Sequence, residues 1–75
     1  RLNRSTFDFI RDGASTGDRH RLLFSAAANL AECGASLNLC RELLNEPAID
    51  SGLPPTEVER QIRCGVEHVT AGATP

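Results

Sequence analysis

The sequence predicts an all-α fold, a small orthogonal or irregular bundle of three main helices plus an N-terminal helical segment. Three stretches carry apolar residues at three- and four-residue spacings, and nowhere does the two-residue alternation of a strand persist. Each stretch is bounded by residues that start or stop helices. The chain has 75 residues, 40% apolar and 24% charged, which suits one globular domain. A domain of that size buries only about 60% of the surface its unfolded chain exposes, so its core is thin.

Leu2 to Arg11 contains Phe7, Phe9 and Ile10, among the bulkiest apolar side chains in a chain without tryptophan or tyrosine. A short helix laying its aromatic rings over the bundle is expected there, followed by a loop from Asp12 to Gly17. The first main helix is expected over Asp18 to Cys33, with Leu23, Ala26, Ala27 and Leu30 on one stripe and Gly34 as its stop. Its small-residue run, Ser25 to Asn29, lets a neighbouring helix come close. The second is expected over Leu37 to Glu46, with Ser36 as N-cap and Pro47 as terminator; Leu37, Cys40 and Leu44 form one row, Leu39 and Leu43 another.

A loop from Pro47 to Pro55 leads to Thr56-Glu57-Val58-Glu59, which has the spacing of a capping box. The helix that follows would bury Val58, Ile62, Gly65, Val66 and Val69 and pair Glu59 with Arg63 on its outer face. Thr70 to Pro75 is small and polar, so the domain is expected to span 1–69 with 70–75 as a flexible tail. The expected core joins Leu23, Ala27, Leu30, Leu37, Cys40, Leu44, Val58, Ile62 and Val66.

The formal charge of −2 argues against a generic nucleic-acid coat, which carries a basic excess. No apolar run approaches the roughly 20 residues of a membrane span and no signal peptide is visible, so no membrane partner and a cytoplasmic setting are expected. The chain opens on Arg1 and has no methionine, as expected of a domain cut from a larger protein. Cys33, Cys40 and Cys64 are odd in number and form no C-x-x-C pair. Free thiols, no metal site and no cofactor are expected.

One turn is locally unfavourable. In Gly17-Asp18-Arg19-His20-Arg21 two arginines and a histidine crowd a helix start, where the partial positive charge of the helix penalises cations by about 0.3–1 kcal/mol each. A bound phosphate would justify them, since backbone N–H groups, a glycine and guanidinium forks all suit its oxygens. The alternative is that Asp18 offsets the dipole and Arg19 and Arg21 pair with nearby carboxylates. Arg60 and Arg63 share a helix face and, with Arg41, could extend a positive strip toward this turn. Glu57, Glu59 and Glu67 interleave with them, which favours a self-neutralised face. No Gly-rich elbow or P-loop lysine accompanies the serines, so no active site is expected within this chain.

Two stretches resemble the small helical domain at the C-terminal side of DNA primases and of plasmid or phage primase-polymerases. Asp12-Gly13-Ala14-Ser15-Thr16-Gly17-Asp18-Arg19-His20-Arg21-Leu22-Leu23 is similar to that family's glycine, one residue, arginine, then asparagine or histidine ahead of an apolar helix. Gly52-Leu53-Pro54-Pro55-Thr56-Glu57-Val58-Glu59-Arg60-Gln61-Ile62 is similar to its proline-bearing lead into an acidic helix start. The likeness spans Phe9 to Val69, with His20 standing where asparagine is common.

This resemblance implies a non-catalytic accessory domain of a primase or primase-helicase, assisting template DNA or nucleotide phosphate engagement beside catalytic or helicase domains of the same parent protein. It places that role on Gly17, Arg19 and His20. The turn and strip together make Gly17, Arg19, His20, Arg21, Arg60 and Arg63 the candidate phosphate-contacting residues. A second reading is a docking module with an exposed apolar patch around Phe7, Phe9 and Leu53. A third, a helix-turn-helix DNA-binding domain, fits poorly with a long loop between the last two helices, because that motif needs a 3–4-residue turn.

Overall fold

A computed structural model of the chain describes residues 2–14 and 17–73, without the side chains of 72 and 73. Among the described residues there are four helices and no strand: α1 (Arg4–Asp12), α2 (Arg19–Glu32), α3 (Leu37–Asp50) and α4 (Pro55–Ala73). The all-α class and the arrangement of three main helices behind a short N-terminal one are as the sequence predicts.

Local chemistry sets most helix ends. The Asn3 side chain accepts from the Thr6 N–H at 2.9 Å and so caps α1. Ser36 caps α3 by accepting from the Leu39 N–H at 3.1 Å. Gly34, at φ 98°, takes the chain out of α2 in a left-handed turn and lets the Ala35 N–H reach the Leu30 carbonyl at 3.0 Å.

Four expectations need correction. Pro47 does not terminate α3, which runs on to Asp50. Proline's fixed φ suits a helix, but inside one it removes an N–H donor and its ring crowds the carbonyl four residues back. Here the added turn carries Ala48 into the core, fully buried, and is closed by bonds from Ser51 to Pro47 at 3.0 Å, Gly52 to Ile49 at 2.9 Å and Leu53 to Ala48 at 3.3 Å. Gly52, at φ 97°, is the residue that ends the helix.

The capping box does not form either. Pro55 already occupies the first helical position, and the Val58 N–H bonds the Pro54 carbonyl at 2.9 Å. Thr56 therefore lies inside the helix. Glu59 turns instead to Arg41 and Arg63.

At its other end α4 continues past Val69 to Ala73, so residues 70–73, expected in a tail, are helical. The Thr70 hydroxyl donates to the Val66 carbonyl at 2.9 Å. Residues 74 and 75 lie outside the described residues. Because α3 is longer than expected, only residues 51–54 connect it to α4. That length fits a helix-turn-helix, and the objection on loop length falls.

The fourth correction concerns the expected apolar patch. Phe9 is 2% exposed and Leu53 3%, both in the core, while Phe7 stands 56% exposed on the outer side of α1. One helical turn cannot point residues 7 and 9 the same way. The patch does not exist as a surface.

The core itself is single and close to expectation. Leu23, Ala27, Leu30, Cys40, Leu44, Val58 and Ile62 are buried, Leu37 and Val66 are partly buried against them, and Ala26, Phe9, Ala48 and Leu53 complete the set. α2 is the hub, touching all three other helices, while α4, among the described residues, touches α2 and α3 but not α1. At the α2–α4 crossing a Cβ on Gly65 would fall 2.6 Å from the Phe24 carbonyl oxygen and 2.8 Å from the Ala27 Cβ. The small residues of α2 thus meet a glycine, and the two backbones nearly touch.

α1 is fastened to α2 by polar groups. Asn29 Oδ1 accepts from the Asn3 N–H at 2.8 Å, and the buried Thr6 hydroxyl lies 2.8 Å from that oxygen and 2.9 Å from Asn3 Oδ1. Burying Thr6 and Asn29 is tolerable because they satisfy one another.

Candidate phosphate-contacting surface

The start of α2 and the start of α4 come together at one end of the bundle. Arg19, from the first turn of α2, points inward and donates from Nη1 to the Ser51 carbonyl at 2.9 Å. Gly52 makes room for it, since a Cβ there would lie 2.6 Å from the same nitrogen. Ser51 is a crossing point. Its hydroxyl donates to the Pro47 carbonyl at 2.7 Å and accepts from the Ala14 N–H at 2.8 Å. Arg19 is therefore half-buried and engaged with a main-chain oxygen rather than with the carboxylate anticipated for it.

The rest of the turn faces outward. Arg21 Nη2 lies 3.1 Å from Asp18 Oδ2, and both side chains are largely in water, at 69% and 64% exposure. Such a pair is worth about 0–1 kcal/mol. Asp18, engaged by Arg21, makes no side-chain cap on α2. Gly17 has φ 114°, and among the described residues, its chain neighbours aside, nothing lies within 4 Å of where a Cβ would stand. Ser15 and Thr16 lie outside the described residues.

Across the gap, Glu57 in the first turn of α4 is the organising group. Its carboxylate receives Gln61 Nε2 at 2.7 Å and Arg60 at 3.2 and 3.3 Å, and His20 Nε2 stands 3.4 Å away. The hydrogen bond from Gln61, then that from Arg60, holds this carboxyl below its ordinary value, against a smaller opposing effect of burial. Acid at a helix start is also favoured by the dipole.

Arg63 belongs to a second group. Arg41 straddles Glu59 at 2.9 and 2.6 Å, Arg63 reaches the same carboxylate at 2.9 Å, and Arg41 also donates to Asn38 at 2.8 Å. The Arg41 contacts, foremost among these, hold Glu59 low. The geometry thus separates the six candidates. His20 and Arg60 meet at Glu57 across the starts of α2 and α4, Gly17 and Arg21 lie exposed at the start of α2, Arg19 is a brace behind that turn, and Arg63 is tied to Glu59. Glu57 and Glu59 interrupt any continuous positive strip, so the self-neutralised face is what forms. They also neutralise the outward arginines of α4, which a helix-turn-helix recognition helix would need free.

Sequence reasoning missed Ser51, Gly52 and Gln61. Helical periodicity carries no information about where a loop carbonyl points, so Ser51 had no signal. Gln61 did have one, four residues after Glu57 on the same helix face.

Elsewhere, an open depression of 290 Å³ between α3 and α4 is lined by Arg41, Glu42, Asn45, Glu46 and Glu59, away from the turn. Cys33 and Cys64 are exposed, Cys40 is buried, and none is paired. Among the described residues no cluster of three or more Asp, Glu, His or Cys could hold a metal ion, and no helix is long and apolar enough to cross a membrane. What the turn offers chemically is hydrogen-bond donation and positive charge at an open helix end. No family model, curated protein or solved structure matches the chain.

Proposed function

We propose that this chain is a non-catalytic helical accessory domain of a DNA primase or primase-helicase, working in the cytoplasm beside the catalytic or helicase domains of the same parent protein. It contacts phosphates of template DNA or nucleotide through the surface around Gly17, His20, Arg21 and Arg60. The observation that carries this reading is the start of α2, which has no side-chain cap, an open glycine ahead of it and an exposed arginine held by an equally exposed aspartate. A phosphate there gains backbone donors and the helix dipole, and it competes with a weak ion pair. Arg19 contributes by fixing the turn, with Arg63 at the margin.

The test is a titration of short single-stranded DNA at low salt, where screening is weakest. Arg21→Ala combined with Arg60→Ala should weaken binding and flatten the log–log salt dependence by about 0.7 for each phosphate that is no longer neutralised. Unchanged affinity and slope in a folded double variant would overturn the assignment.

A further inference from the structure

We propose that the outward face of α1 is a second nucleic-acid contact, on which Phe7 stacks a base of single-stranded DNA or RNA while Arg4 and Arg11 flank it at the phosphates. The proposal rests on the nucleic-acid reading above but uses a different surface. Arg4, Phe7 and Arg11 are spaced i, i+3 and i+7, which puts them on one helix face, opposite the buried Thr6 and Phe9. Of the three aromatic residues in the chain, Phe9 is in the core and Phe24 packs its ring 5.6 Å from that of His68. Phe7 is left half in water, although core burial gives no reason for a phenylalanine on that side.

Two aspartates, Asp8 and Asp12, balance the flanking arginines, but every one of these pairs lies largely in water. Arg4 is 91% exposed and reaches Asp8 only at 4.0 Å, while Arg11, 72% exposed, shares Asp8 at 3.3 Å and Asp12 at 2.9 Å. These are weak, solvent-screened contacts that a phosphate can displace. A ring between two such guanidinium groups is the arrangement that single-stranded nucleic acid uses, because every base offers a π face whatever the sequence. Two arginines serve at most two phosphates, so the salt dependence of this contact is shallow, with a log–log slope of no more than about 1.4.

The chain has no tryptophan, so Phe7→Trp places a single fluorophore at the contact. Titrating this variant with oligothymidylate should quench its emission, and an abasic oligomer of equal length, which keeps the phosphates and lacks the bases, should not. Phe7→Ala should weaken oligothymidylate binding about 5- to 100-fold while leaving the melting temperature and the abasic oligomer unaffected. Indole emission that does not respond to oligothymidylate in Phe7→Trp, or oligothymidylate binding unchanged in Phe7→Ala, overturns the platform and leaves Phe7 to a protein partner. If Arg21→Ala weakens both oligomers equally and Phe7→Ala does nothing, the turn stands and the platform falls. The reverse pattern overturns the turn alone, and absence of binding by either oligomer overturns both.

Discussion

Arg19 and Ser51 stand 32 residues apart in sequence and are joined by a 2.9 Å hydrogen bond from guanidinium to main-chain carbonyl. The bond ties the start of α2 to the end of α3, and Gly52 leaves it the space. A charge-assisted hydrogen bond of this kind contributes about 1.5–3 kcal/mol, less where water can replace it.

Arg19→Ala should therefore lower the unfolding free energy by about 1–2 kcal/mol in urea, whereas Arg21→Ala should change it by less than about 0.5 kcal/mol. Gly52→Ala should destabilise through its left-handed φ and its clash with Arg19. In an Arg19→Ala background only the backbone strain should remain, so the two effects should fall short of additivity. Full additivity would show that the two residues do not share this contact.

Gly65→Ala should be more damaging than a single methyl usually is. Its Cβ would meet a backbone carbonyl, which cannot rotate away, so α2 and α4 must separate. A loss of about 1–3 kcal/mol is expected. Ile62→Ala, three residues earlier and fully buried, should cost about 2–5 kcal/mol by leaving a void instead. Chemical denaturation of both variants checks this, and a gain in stability from Gly65→Ala, as its better helix propensity would give alone, would refute the close crossing.

How much of this was legible in the sequence depended on the kind of force involved. The stripe Leu23, Ala27, Leu30 could be read because periodicity reports burial directly. The close approach along Ser25 to Asn29 could be read because small side chains permit it. Pro47 is misleading on its own, because its missing donor is a local property whereas the core site that Ala48 fills is set by tertiary packing. The patch of Phe7, Phe9 and Leu53 failed because hydrophobicity alone does not say which side of α1 faces in. In the candidate site, the crowding of cations at the start of α2 was visible. The inward turn of Arg19 was not, since it depends on the exit path of a distant helix.

Acid should destabilise the fold through Glu57 and Glu59. Both carboxyls are held below their ordinary value near 4.5 by hydrogen bonds and arginines. A group with a depressed folded pKa contributes stability above its unfolded value, and the contribution is lost as pH falls through the folded value. The melting temperature should be nearly flat from neutrality to about pH 5 and fall below about 4.5. Glu57→Gln with Glu59→Gln should lower the plateau and flatten the acid limb, and an acid limb unchanged in this double variant would assign it to other carboxylates.

The three thiols should differ in reactivity. Burial pushes the Cys40 thiol up and hides it, while Cys33 and Cys64 are exposed. Alkylation of native protein followed by intact mass should show two modified thiols quickly and the third only on unfolding. Three rapid modifications without denaturant would mean that the α2–α3 packing opens readily.

The separation of α1 from α4 has a consequence for the order in which the chain can assemble. A ribosome delivers α1 before the other helices, and until Asn29 has emerged its Thr6 hydroxyl has only Asn3, in its own segment, to bond. Since α1 makes no contact with α4 among the described residues, its docking need not await the last quarter of the chain. Release of α1 would take Phe9 out of the shared core and uncover parts of α2 and α3, but it would leave the α2–α4 crossing at Gly65 in place, so the first helix can open ahead of the rest.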